Sequence, residues 1–228
     1  MVLESDVRRS WLSRPGIGAS LCLMALAACG GHAAQTGASP KKALVYPAVA
    51  LGTYPLAGEA VSVVPLTMMF FESPAEAPPE LAERVRSLEW ADSIIGRALE
   101  DRGPEVKWVL PPALRKMAIR SPGVASDPDR MGQAIMREHE LKITPDPLRS
   151  SLRSMAAISG GRHALIPAAL IFFSVPDSGL RAELSMVLTD TRTGGVVYRT
   201  VAAGTGSTPA RALSAAMATV LPLETDKR

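Results

Sequence analysis

The chain has 228 residues, 47% of them hydrophobic, with a mean hydropathy of +0.14 and a formal net charge of +3. That balance excludes a chain too polar to fold and one built mostly of membrane spans, and no basic cluster argues for a nucleic-acid partner. Cys22 and Cys29 are the only cysteines, so an apolar core, not a disulfide framework, must hold the fold.

Residues 1–28 read as an export signal. Arg8, Arg9 and Arg14 form a basic start. The apolar run from Ile17 to Ala28 is a secretory core, too short to cross a hydrocarbon layer of ~30 Å. Arg8-Arg9-Ser10-Trp11-Leu12 partly resembles the twin-arginine export motif, with Val7 where Ser or Thr is usual; plain n-region charge explains the same residues. Leu26-Ala27-Ala28-Cys29 resembles the lipobox of bacterial lipoproteins, in which small residues fit the signal peptidase and the cysteine follows the cut. The resemblance implies a thioether-linked diacylglycerol and an acylated amine on Cys29, and no other cofactor. One acyl chain binds a membrane marginally, at about 0.8 kcal/mol per buried CH₂, and two or three together hold firmly. Gly30 stands where an aspartate would signal inner-membrane retention, which implies an outer-membrane, periplasm-facing location. Cys22 leaves with the signal, so no intramolecular disulfide is expected in the mature chain.

Residues 29–43 are small, polar and Gly-rich, the composition of a flexible tether, and 44–228 are expected to form a single domain. From Leu44 to Gly58 an apolar lead-in is broken by Pro47, Gly52 and Pro55. Val61 to Phe71 reads as a strand apolar on both faces, with Pro65 marking a bulge or a strand start. A helix is expected from Pro79 to Arg102, with Leu81, Val85, Leu88, Ile95 and Leu99 as its buried stripe and Gly103-Pro104 as its stop. A strand follows from Val106 to Leu110, then Pro111-Pro112 and a short helical piece from Ala113 to Ile119. Asp127-Pro128 and Asp146-Pro147 each pair a capping Asp with a Pro suited to the first helical position, predicting helices at about 128–141 and 147–159. Ala164 to Val175 is the next strand. Leu180 to Thr189 alternates, with Leu180, Ala182, Leu184, Met186 and Leu188 inward and Arg181, Glu183, Ser185 and Thr189 mostly outward. Asp190 to Gly195 turns the chain into a strand from Val196 to Ala203, and Thr208-Pro209 caps a helix to about Leu221. The order implies an α/β fold, leaning to α+β: a mixed sheet of about five strands with helices packed on it. The first two strands are parallel across a helix and the last three form an antiparallel meander.

This order, with Asp190, Thr193, Gly194 and Val196 in the late turn, then Gly204 and Gly206, then the capped Ala-rich run Pro209 to Ala218, resembles a group of envelope lipoproteins. They share the fold of the TolB amino-terminal domain, as do the curli-export lipoprotein and lipoprotein activators of penicillin-binding proteins. The resemblance covers roughly residues 60–221 and implies a non-enzymatic domain that binds other envelope proteins.

Catalytic signals are sparse. His139 stands alone on its segment, whereas a zinc helix needs two histidines at i, i+4. His163 follows Gly160-Gly161 at a strand entrance. Ser159 ends a helix and lacks the strand-turn-helix setting of a nucleophile elbow. Gly204 to Thr208 precedes a helix, where an anion could sit, but the lysine of a phosphate loop is missing. The close carboxylate pairs Asp127/Asp129, Glu138/Glu140 and Glu100/Asp101 make no metal pattern. Trp90, Tyr46 and Tyr54 are the candidate interface anchors, because Trp and Tyr dominate binding hot spots, while Trp108 suits the core. Arg181, Glu183 and Arg199 read as solvated surface. The sequence thus points to a non-enzymatic, lipid-anchored interaction domain in envelope assembly or stability. Its expected partners are the membrane and an envelope protein, with a homo-oligomer as a further option. A small-molecule or glycan-binding lipoprotein is the alternative. A deep pocket with convergent polar groups would favour the alternative, and an exposed apolar patch the interaction domain.

Overall fold

The computed structural model describes residues 48–176 and 179–223. The signal, the lipobox, the tether and Tyr46 lie outside the described residues. Among the described residues six strands and four α-helices follow in the order β1 (Ala60–Val63), β2 (Met69–Glu72), α1 (Arg84–Arg102), β3 (Lys107–Val109), α2 (Pro111–Arg120), α3 (Leu148–Ser159), β4 (His163–Val175), β5 (Gly179–Asp190), β6 (Val196–Gly206) and α4 (Pro209–Val220). The expected mixed α/β sheet is present. Its order is β3-β1-β4-β5-β6, with β2 also on β4. The strands β3, β1 and β4 are parallel, and β4-β5-β6 form the antiparallel meander.

β1 and β2 are one line of chain interrupted at Pro65. Both pair with β4 in parallel, but the register runs from Val63↔Leu165 to Met69↔Leu170, one residue more than β4 uses over the same stretch. The proline, which cannot donate to a ladder, sits in that excess. Opposite it, β4 carries Pro167, and the β4–β5 register shifts between Pro167 and Ala169. The bulge leaves strand groups without ladder partners, and buried side chains supply them. Leu66 N–H donates to Asp92 Oδ1 at 2.9 Å, and Gln133 Nε2 donates to the Pro65 carbonyl at 2.9 Å. A buried backbone group left unpaired would cost about 1–3 kcal/mol.

Helices cover both faces. On one, α1 and α4 bury Ala91, Ile95, Leu99, Leu213 and Met217 against Val61, Leu170, Phe172 and Leu184. On the other, α2, α3 and two short 3₁₀ turns bury Leu114, Met136, Leu148 and Leu152 against Val64, Ile166 and Val187. This second layer buries Ser185 and Thr189, which alternation places mostly outward: Thr189 Oγ1 meets Thr144 Oγ1 at 2.8 Å.

Glycines let the layers approach. A Cβ on Gly204 would lie 2.1 Å from the backbone N of Ala216, so α4 packs directly on the β6 backbone. Thr208 caps α4, accepting from Arg211 N–H at 3.3 Å. Gly160, at φ 78°, ends α3 as a left-handed residue.

Several boundaries differ from the sequence pattern. Pro79–Leu81 is a separate 3₁₀ turn, and α1 starts after Glu83, whose carboxylate accepts from the Val85 and Arg86 N–H groups. The helical period therefore does not run through Leu81, and Val85 is exposed, not buried. Residues 128–141 are not a helix. Asp127 does cap Pro128–Arg130, but Gly132, at φ 76°, breaks the run, and Gln133–Arg137 is a second 3₁₀ turn. Asp146 does not cap α3: the Asp146–Pro147 peptide is cis, Pro147 takes the N-cap position, and Asp146 pairs with Arg149 at 3.7 Å.

Candidate functional site

The sequence candidates do not converge. Tyr54 is 90% exposed on a 3₁₀ turn. Trp90 is half-buried at the rim of the core, its ring 6.4 Å from that of Phe172. Trp108 packs against the same core and donates from Nε1 to the Gly103 carbonyl at 2.8 Å. Ser159 and His163 do not pair: Ser159 Oγ meets Ser62 Oγ at 2.8 Å, and His163 Nδ1 meets Glu59 Oε2 at 3.1 Å. The backbone of α4 fills the space beside Gly204 and Gly206, so these glycines serve packing and leave no anion cradle. His139 is exposed just after the second 3₁₀ turn. Among the described residues no three His, Cys, Asp or Glu side chains form a metal-sized group, and no helix is long and apolar enough to cross a membrane.

A cleft of about 740 Å³ lies between α1 and α2. The two helices belong to opposite layers and meet around the β3 edge of the sheet. Leu110, between β3 and α2, reaches toward α1, where Gly96 has no side chain to block it; a Cβ there would lie 3.1 Å from Leu110 Cδ1. Gly96, Leu110 and Pro111 thus line an apolar part of the cleft. Glu89, Arg97 and Glu100 line it from α1, and Lys116, Ile119 and Arg120 from α2. Ile119 is 81% exposed and also borders a second depression, formed with Ala125, Pro128 and Asp129. Among the described residues no aromatic ring lines the cleft.

Beneath it lies a polar cluster. Asp92, on α1, is only 7% exposed. Its Oδ1 accepts from Leu66 N–H, and its Oδ2 is 3.2 Å from Arg115 Nη2. Arg115 makes a tighter, two-pronged contact with Asp129, at 2.8 and 2.7 Å. Burial raises the Asp92 carboxyl to about 6; the Leu66 N–H and the shared Arg115 charge only partly oppose this. Arg115 is held firmly protonated, first by its hydrogen bonds to Asp129. Sequence reading missed this pair. A signal was present: Asp92 falls between Ala91 and Ile95 on the buried stripe of α1, where a carboxylate needs a partner.

Three other charged groups are structural. Arg162 donates to Asp190 Oδ2 at 2.9 and 2.5 Å, and this, with the Arg192 and Thr193 N–H groups, lowers the Asp190 carboxyl to about 2. Arg181 and Glu183 pair at 2.7 Å. Arg199 is not simply solvated: it donates to the carbonyls of Met136 and Leu141, pinning the 3₁₀ segment to the sheet.

No protein-family model matches the sequence, and no curated protein does. Among solved structures, the chain is similar to the LpoB C-terminal domain from Salmonella enterica, at 16% identity and a TM-score of 0.35, over 64% of this chain and 82% of that one. It is also similar to a PelC dodecamer subunit from Paraburkholderia phytofirmans, at 14% identity and a TM-score of 0.36, over 78% and 96%. A third is lipoprotein GNA1162 from Neisseria meningitidis, at 14% identity and a TM-score of 0.33, over 65% and 82%.

Proposed function

We propose that this protein is a lipid-anchored, periplasm-facing domain of the outer membrane that acts in envelope assembly or stability by binding protein, without catalysis. The α1–α2 cleft is its docking surface. The observation that carries this reading is Ile119, an almost fully exposed isoleucine beside an apolar-floored cleft whose walls bear charged side chains. An exposed apolar anchor ringed by charge suits a protein contact, with the rim excluding water from the centre. The cleft volume falls within the range of small-molecule sites, but such sites are usually walled by aromatic and apolar groups, and here no ring is available to hold a glycan or a planar ligand. In this reading Cys29 carries the diacylglycerol and acyl chain, no other cofactor takes part, and the lipid raises the local concentration of the domain at the membrane. The narrower likeness to the TolB amino-terminal domain belongs to the same proposal.

Cys29→Ala should move the protein from the membrane fraction to the soluble fraction on flotation; a variant that still floats with vesicles rules out the lipid anchor. Ile119→Asp tests the cleft. The tagged lipoprotein should capture an envelope protein identifiable by mass spectrometry, and the aspartate variant, folded by circular dichroism, should lose it. Equal capture by both would place the docking surface elsewhere.

A further inference from the structure

We infer that the α1–α2 cleft receives a second copy of this chain, the two copies facing each other across a two-fold axis. The inference rests on reading the cleft as a protein-docking surface and names its occupant. The surface is self-complementary in shape. Ile119 projects from α2 at the edge of the cleft, and the cleft itself is the hollow, floored by Leu110 where it packs against Gly96 and by Pro111. A knob and a hole on one patch are what an isologous contact requires, because each copy offers its knob to the other's hole.

The charges follow the same rule. The α2 wall carries Lys116 and Arg120. The α1 wall carries Glu89 and Glu100, with Arg97 as its one cation. None of these five side chains has an ion-pair or hydrogen-bond partner among the described residues. Arg115 is not available, since Asp129 and Asp92 hold it. A uniformly acidic partner would meet Glu89 and Glu100, and a uniformly basic one would meet Lys116 and Arg120. The pattern suits a partner with both signs side by side, and this chain's own cleft is such a surface. Across a two-fold axis each α2 wall faces the other copy's α1 wall, so the cation-to-carboxylate match occurs twice.

The test uses the full chain, expressed in two tagged forms in one cell and captured in one detergent. Wild-type copies should capture each other. K116E/R120E should not capture itself, since acidic walls then meet, and E89K/E100K should not capture itself, since basic walls then meet. The two variants together should capture each other at near wild-type yield, because both halves of the contact are complementary again. Misfolding cannot produce that rescue. Absence of rescue in the mixed pair, or no mutual capture by wild-type copies, overturns the inference. If wild-type copies do not pair and Ile119→Asp still strips the envelope partner, the second-copy inference falls while the docking reading stands.

Discussion

Gly204→Ala should lower unfolding stability by about 3 kcal/mol or more, the upper end of overpacking costs. The added Cβ would meet backbone on every near side: the N of Ala216 at 2.1 Å, the O of Ala212 and the C of Ala215 at 2.5 Å. None of these can rotate away as a side-chain end could, so α4 would have to lift from the sheet. That lift would loosen Ala212, Leu213 and Met217 from the core. Urea denaturation of the variant should show the loss as a fall in midpoint. Gly52→Ala is the matched control: its Cβ would have only Pro55 Cδ within reach, at 4.0 Å, and it should be nearly neutral. Equal effects at the two sites would show that backbone entropy, not close packing, sets the cost.

Asp92→Asn should stabilise the protein at pH 7.5 by up to about 3 kcal/mol, with the gain vanishing below about pH 4. The carboxyl titrates at about 6 in the folded chain against 3.8 for the free group. Between those values the folded chain holds a proton that the unfolded chain has released, so stability falls as pH rises through this window and stays lower above it. Asparagine keeps a carbonyl for the Leu66 N–H and never ionises. Asp190 has the opposite sign. Lowered to about 2 by Arg162, it contributes stability above the ordinary carboxylate range that is lost as pH falls toward 2. Chemical denaturation of wild type and variant reads the Asp92 slope between pH 4 and 7.5 and, in both proteins, the Asp190 slope between about pH 2 and 4. A constant difference across the Asp92 range would mean that Asp92 does not titrate as its burial requires.

Much of the architecture is legible in the residues because apolar periodicity reports burial directly. The meander from Ala164 to Ala203, the helix after Thr208 and the break at Pro65 all carry local signals that tertiary contacts reinforce. Where local signals failed, a distant partner had overruled them. Asp127-Pro128 opens only a 3₁₀ turn, because Gly132 interrupts the run and Gln133 is committed to the Pro65 carbonyl. Ser185 and Thr189 alternate as outward residues, yet the layer after Gly132 covers them. The candidate site was the least legible part. Its walls come from two helices in opposite layers, and nothing in the spacing of Glu89 and Lys116 says that they share a cleft. Aromatic residues drew attention to Trp90, whose ring completes the core rim, while the exposed anchor is an isoleucine.

The bulge at Pro65 also bears on how the molecule can come apart. Its two stranded backbone groups are claimed from opposite sides, the Leu66 amide by Asp92 on α1 and the Pro65 carbonyl by Gln133 in the layer behind the sheet. If either layer peeled away alone, it would strand a buried strand group at the centre of the sheet. Partial openings that shed one layer are therefore disfavoured at the same point from both directions, and the central strand is protected until the two layers are lost together. A single extra residue in one strand makes two separately packed faces share a common breaking point.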